Sequence, residues 1–213
     1  MHGQGIDSGD LAESDLVTGY GTFRAVAFRN GPGSDEHLAL VLGDTDGHDG
    51  ILVRVHSECV TGDIFGARRC ECGDQLHAAL GDISREGRGV LVYLRGHEGR
   101  GIGLLAKIRT HVLQDEHGMD TVDSATRLGF PVDTRDYTPA ARILTHLGIR
   151  SVRLLSNNPE KGQALRSHGV HVAARVPLLI PATTDNVRYL TAKRDRLGHD
   201  LPQLNGAAHR SRP

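Results

Sequence analysis

The stretch ILVRVHSECVTGDIFGARRCECGDQLHAAL, Ile51 to Leu80, decides how this chain is read. It opens on ILVRVH (51–56), an apolar run with the length and branched side chains of a strand. It passes into a segment where Leu76, Ala79, Leu80 and Ile83 recur at helical spacing. Between strand and helix lie Cys59, Cys70 and Cys72, the only cysteines among 213 residues. An odd count fits poorly with a disulfide framework. Three thiolates with a fourth position left to water is the ligand pattern of catalytic zinc. His56 could complete a closed four-ligand site, but three residues before Cys59 on a strand it points to the opposite face. Three unligated core thiols are the plainer alternative. The neighbours Glu58, Asp63, Arg68, Arg69, Glu71 and Asp74 are not core composition, which favours the metal.

Working outward, FRAVAF (23–28) and HLALVLG (37–43) read as strands. The turn-rich DTDGHDG then leads to ILVRVH, which suggests an antiparallel meander. GVLVYLR (89–95) reads as a buried strand, GLLAKIRTHVLQDEHG (103–118) as a helix, and TPAARILTHLG (138–148) as a helix with Thr138 as N-cap and Pro139 at N1. SVRLLS is a strand, PEKGQALRSHG a short helix, VHVAARVPLL a strand and NVRYLTAKRDRLGH a closing helix. Strands first and β/α alternation later give an α/β fold: mixed sheets with flanking helices in one domain. Residues 1–15 are expected to be a disordered leader, 16–204 the domain and 205–213 a disordered tail.

The formal net charge is −1, so no global basic field recruits nucleic acid or anionic lipid. No apolar run approaches the ~18 residues of a membrane span, and the polar N-terminus is not a signal peptide. Reduced thiols and these absences suggest a cytoplasmic protein. Gly101-x-Gly103-x-x-Ala106 loosely matches a dinucleotide fingerprint. The polar GHEGR ahead of it prevents a tight strand-to-helix turn, so the glycines are read instead as an anion-binding loop. A zinc-dependent nucleic-acid module would need a basic face and four ligands. A zinc deaminase would need a P-C-x-x-C partner for His56-Ser-Glu58. Neither pattern is present.

Taken together, RVHSEC-x10-CEC, EGRGIGL, KIR, LQD, DTVD, LGF, D-x-RDY, NNP-x-K and RVPL resemble the GTP cyclohydrolase II family of riboflavin synthesis, in order and spacing, from about Leu16 to Leu201. The resemblance implies zinc on Cys59, Cys70 and Cys72, and hydrolysis at C8 of guanine. Ring opening and a second attack at that carbon would release formate. GTP contacts would come from Arg54, Val55, His56, Ser57, Glu58, Gln75, Glu98, Gly99, Arg100, Thr121, Ser156 and Lys161, with Mg²⁺ on the triphosphate. Arg135 would attack the α-phosphorus and release pyrophosphate, with Asp133 as proton acceptor. Residue chemistry alone reads Arg135 as a phosphate clamp. A homodimer is expected by the same resemblance. Three departures stand out. Family members carry RQEGR where this chain has the longer RGHEGR (95–100), a tyrosine where it has His111, and often a second tyrosine where it has Met119. A thioether cannot donate the hydrogen bond of a phenol. Met119 and His111 are therefore candidate determinants of product, and an enzyme halting at the formamidopyrimidine is the alternative outcome.

Overall fold

The computed structural model describes residues 6–209. Seven strands form one mixed sheet: β1 (Leu11–Thr18), β2 (Gly21–Arg29), β3 (Glu36–Leu42), β4 (Ile51–Ser57), β5 (Gly89–Leu94), β6 (Val152–Leu155) and β7 (Val172–Val176). Their order is β1-β2-β3-β5-β4-β6-β7. β1, β2, β3 and β5 pair antiparallel, whereas β5-β4, β4-β6 and β6-β7 are parallel. The mixed α/β architecture expected from the sequence is therefore present, with its strands in one sheet.

Two sequence expectations are corrected. β4 does not continue a meander from β3, because β5 lies between them. Six of the seven β4 residues are buried, as are five of the six in β5. Strands covered on both faces belong at the centre of a sheet, as parallel pairs joined by a helix. The leader is also shorter than expected: β1 starts at Leu11 and pairs along its whole length with β2, register Leu11–Phe28 to Thr18–Gly21. Of the expected tail, the backbone through His209 forms a 3-10 turn from Pro202. Residues 1–5 and 210–213 lie outside the described residues.

Helices cover both faces. α2 (Cys72–Glu86) lays Ala79, Leu80 and Ile83 on Phe23, Leu40, Leu52 and Leu91. On the other face α5 (Thr138–His146) and α6 (Pro159–Ser167) pack Ala140, Ile143, Leu144 and Leu165 onto Val53, Val55, Val90, Val92 and Leu154. Each fully buried Val, Leu, Ile or Phe among them stabilises the fold by about 2 kcal/mol. α5 starts one residue earlier than expected, with Tyr137 rather than Thr138 in the cap position. Thr138 is its first residue, and Asp136 Oδ1 accepts from the Thr138 backbone N–H and hydroxyl at 2.8 and 2.6 Å. α1 (Val60–Asp63), α3 (Leu104–His117), α4 (Thr121–Arg127) and α7 (Val187–Leu197) gather over the sheet's edge. The carboxyl ends of β4, β5 and β6 all open there, and it is at such ends that α/β sheets bind ligands.

Candidate active site

Cys59 leaves β4 and precedes α1, Cys70 sits in the loop that follows, and Cys72 begins α2. Their sulfurs lie within 4.8 Å of one another, with Cys59 Sγ and Cys70 Sγ 3.8 Å apart. Two glycines permit this convergence. A Cβ on Gly62 would fall 2.9 Å from Cys70 Sγ and 3.2 Å from Cys59 Sγ. A Cβ on Gly73 would fall 2.5 Å from the Gly62 carbonyl oxygen. Behind the hook, Asp63 organises its start. Its carboxylate accepts from the Cys59 N–H at 2.9 Å, His56 Nε2 at 3.0 Å and the Tyr93 hydroxyl at 2.8 Å. His56 is thereby committed to Asp63, and among the described residues it does not join the sulfur cluster.

The crowded thiols titrate apart. Hydrogen bonds from Cys70 and Cys72 push the Cys59 thiol far down, and Lys107, 3.1 Å away, favours its thiolate further. Sharing with Cys59 raises the other two. Such a cluster has one thiolate ready and two that a cation would release. The donor set can hold one metal ion, with its remaining side toward solvent.

That side is a cavity of about 240 Å³. Of the residues singled out in the sequence, Arg54, His56, Ser57, Glu58, Gln75, Gly99, Arg100, His111, Thr121, Arg135, Ser156 and Lys161 line it together with the three cysteines. Four expected residues do not. Val55 is fully buried and offers only its carbonyl, which accepts from Lys161 Nζ at 2.8 Å. Glu98 is spent on Lys107 Nζ at 2.6 Å and the Val60 N–H at 2.7 Å. Asp133 stands behind Arg135 and bonds its Nε at 2.9 Å, its backbone N–H and a terminal nitrogen. Met119 sits in the turn before α4, off the cavity wall.

Burial works against the charge of Arg135, but the Asp133 carboxylate outweighs it and holds the guanidinium above its usual range. Asp133 itself stays ionised for the same reason, burial opposing and Arg135 prevailing. Lys161 is pushed well below the usual lysine range by burial and by Arg54 and Arg135. His97 donates from Nε2 to the Asp136 carbonyl at 3.0 Å, leaving Nδ1 to accept from the Ser57 hydroxyl at 3.1 Å. Burial and Arg135 lower His97 to about 4. His111 is likewise lowered to about 4, by burial and then Arg69 and Lys107. Both are neutral imidazoles at pH 7.

Sequence reasoning missed Lys107, His97, Tyr189, Lys193 and His199, which also line the cavity. Tyr189 and Lys193 stand four apart on α7, a spacing that puts them on one face, and that was the available signal.

Fold and site define a class: an α/β enzyme whose three-cysteine hook opens onto a cavity rich in basic side chains. Residues 10–177 match the family model of GTP cyclohydrolase II, and the chain belongs to that family of hydrolases. It is 53% identical over 199 residues to the riboflavin biosynthesis protein RibBA of Mycobacteroides abscessus, covering 92% of this chain and 48% of that protein. It is 54% identical over 200 residues to RibBA of Mycolicibacterium gilvum, covering 92% and 47%. The chain thus spans about half the length of these relatives. A crystal structure of RibBX, a two-domain 3,4-dihydroxy-2-butanone 4-phosphate synthase from A. baumannii, matches 73% of this chain and 35% of its own at 23% identity and a TM-score of 0.40, too distant to bear on the chemistry.

Proposed function

We propose that this chain hydrolyses GTP, opening the guanine imidazole ring at C8 and releasing pyrophosphate to leave a ribosylaminopyrimidine 5′-phosphate, in riboflavin synthesis. One observation carries the reading. The converging sulfurs face a cavity walled by Arg54, Arg69, Arg100, Lys107, Arg135, Lys161 and Lys193, seven basic side chains against the carboxylates of Glu58 and Glu71. That excess suits a polyanion beside a hydrolytic centre.

Cys59, Cys70 and Cys72 would hold one zinc ion, whose preference for soft thiolates and four-fold coordination matches three donors and an open side. Bound there, zinc acidifies water and supplies a hydrolytic nucleophile near neutral pH. Arg100, Arg135 and Lys161 hold the triphosphate, with Mg²⁺ on its oxygens. Asp133 and Arg135 are the catalytic pair for pyrophosphate release: Asp133 orients the guanidinium and is the nearest acceptor for any proton it loses. Arg54 and Gln75, joined at 2.8 Å, present donors and acceptors to the base.

Formate needs a second hydrolysis at the same carbon. Neutral His111 lines the cavity and can give or take a hydrogen bond there, so formate is the expected co-product. The second reading, a halt at the 5-formylamino pyrimidine, rests on Met119, which brings no donor to the turn leading into Thr121. Incubating zinc-loaded protein with GTP and Mg²⁺, and reading product mass and formate together, separates the two. Unchanged GTP would refute both.

A homodimer fits the exposed apolar side chains Leu104, Leu105 and Ile108 on α3, together with the exposed Ile64 and Phe65. Light scattering after gel filtration tests it. Free cysteines fit a reducing cytoplasm, and among the described residues no helix is long and apolar enough to cross a membrane.

A further inference from the structure

The family match ends at residue 177, yet the cavity does not. Tyr189, Lys193 and His199 all line it, and all come from α7 and the turn after it. This segment has its own small core of Leu190, Leu201 and Leu204, apart from the two that flank the sheet. Polar clasps hold it over the site. Arg196 bridges Asp120 at 2.5 Å and Asp123 at 3.0 Å, and Arg188 donates to the Gly118 carbonyl at 3.1 Å. The Asp200 N–H donates to the Asn157 carbonyl at 2.9 Å, beside the cavity-lining Ser156 and Asn158.

Its inward contact is an ion pair. Lys193 Nζ lies 2.9 Å from Glu71 Oε1, with 9% and 1% of the two side chains exposed, and 4.7 Å above the Tyr189 ring. Glu71 stands between Cys70 and Cys72. The same Oε1 accepts from Gln75 Nε2 at 2.9 Å, and Gln75 Oε1 accepts from Arg54 at 2.8 Å. The chain Lys193–Glu71–Gln75–Arg54 ends in open valences, since Glu71 Oε2 and Arg54 Nε are buried with no partner among the described residues. A buried ion pair is a weak way to stabilise a fold, because desolvation consumes most of the attraction. It is an effective way to fix a carboxylate's position.

We propose that α7 is a working wall of the active site, in which Lys193 is a positioning residue that fixes Glu71, and through it both the Cys70–Cys72 hook and the Gln75–Arg54 pair facing the substrate. This rests on the proposed reaction for its substrate arm only. The hook arm concerns metal affinity and stands without turnover.

The test compares wild type, Lys193→Met and the double variant Glu71→Gln with Lys193→Met. Zinc affinity is measured by chelator competition on the metal-free proteins, KM and kcat on GTP, and Tm by melting. The double variant removes the stranded charge, so it folds even where the single does not. Lys193→Met is expected to weaken zinc binding about tenfold or more, the scale for residues that orient metal ligands. KM should rise by a similar factor, and the double variant should keep the raised KM while regaining Tm. Zinc affinity and KM within twofold of wild type in both variants, with only Tm reduced, would make Lys193 merely structural and overturn the proposal. Should wild type fail to turn over GTP, the proposed reaction falls while the zinc comparison still decides the role of Lys193.

Discussion

Gly62→Ala puts one methyl group into the sulfur cluster. The new Cβ would lie 2.9 Å from Cys70 Sγ, 3.0 Å from Cys72 Cβ and 3.2 Å from Cys59 Sγ. Comfortable non-bonded contacts begin near 3.5 Å, so the Cys70 sulfur must shift by roughly half an ångström and the Cys59 sulfur by about 0.3 Å. Metal–ligand distances tolerate only about 0.2 Å. In the metal-free protein the thiols can swing aside, and alanine is the better helix former, so Tm should change little. With metal bound they cannot, and overpacking of this kind costs about 1–3 kcal/mol. At about 1.4 kcal/mol per decade, zinc affinity should fall roughly 10- to 100-fold. Chelator competition reads the affinity and a melt of the apo protein checks the fold. Wild-type affinity at one ion per chain would refute the idea that Gly62 sets the hook. Gly73→Ala is the contrast: its Cβ meets backbone, the Gly62 carbonyl oxygen, at 2.5 Å, so α1 and α2 must part and Tm should fall together with affinity.

Asp63→Ala strands the Cys59 N–H, His56 Nε2 and Tyr93 hydroxyl together, about 3 kcal/mol or more, and should lower Tm by roughly 6–12 °C; an unchanged melt would deny Asp63 its organising role. Arg135→Lys loses the fork that grips Asp133 and should slow pyrophosphate release about 100-fold or more, measured by coupled pyrophosphate detection. His97 has a folded pKa of about 4, below the unfolded value of about 6.5. Its contribution is therefore complete above pH 6.5 and lost as pH falls toward 4, by up to about 3 kcal/mol. Urea unfolding at pH 7.5, 6 and 5 should show that decline, and His97→Gln should make it shallower, with the share of the likewise lowered His111 remaining.

The parts of this protein that announce themselves in sequence are those whose signal is local. The apolar runs of β2, β3, β4 and β5 and the helical spacing of α2 needed no tertiary knowledge. The convergence of the three cysteines was legible in their count and spacing. Strand order did not follow, because the loop at 44–50 looks like a hairpin while only the two-sided burial of β4 and β5 puts them at the centre. β1 was hidden by polar composition: it is an edge strand with nearly every residue exposed, and such a strand needs no apolar face. That Glu98 meets Lys107, which arrives from a different element, was not legible either. Lys193 was invisible for a similar reason. It meets Glu71 from 122 positions away, and nothing local marks that ion pair.

The central proposal is that Cys59, Cys70 and Cys72 would hold one metal ion, which would supply the hydrolytic chemistry for GTP bound in the adjoining cavity. It is tested most directly by titrating zinc into metal-free protein with GTP and Mg²⁺, following loss of the purine absorbance. The expected result is no turnover without zinc, a rate that saturates at one equivalent per chain, and no such response in Cys70→Ser. Ring opening at full rate in metal-free protein, or an intact purine spectrum at saturating zinc, would contradict it.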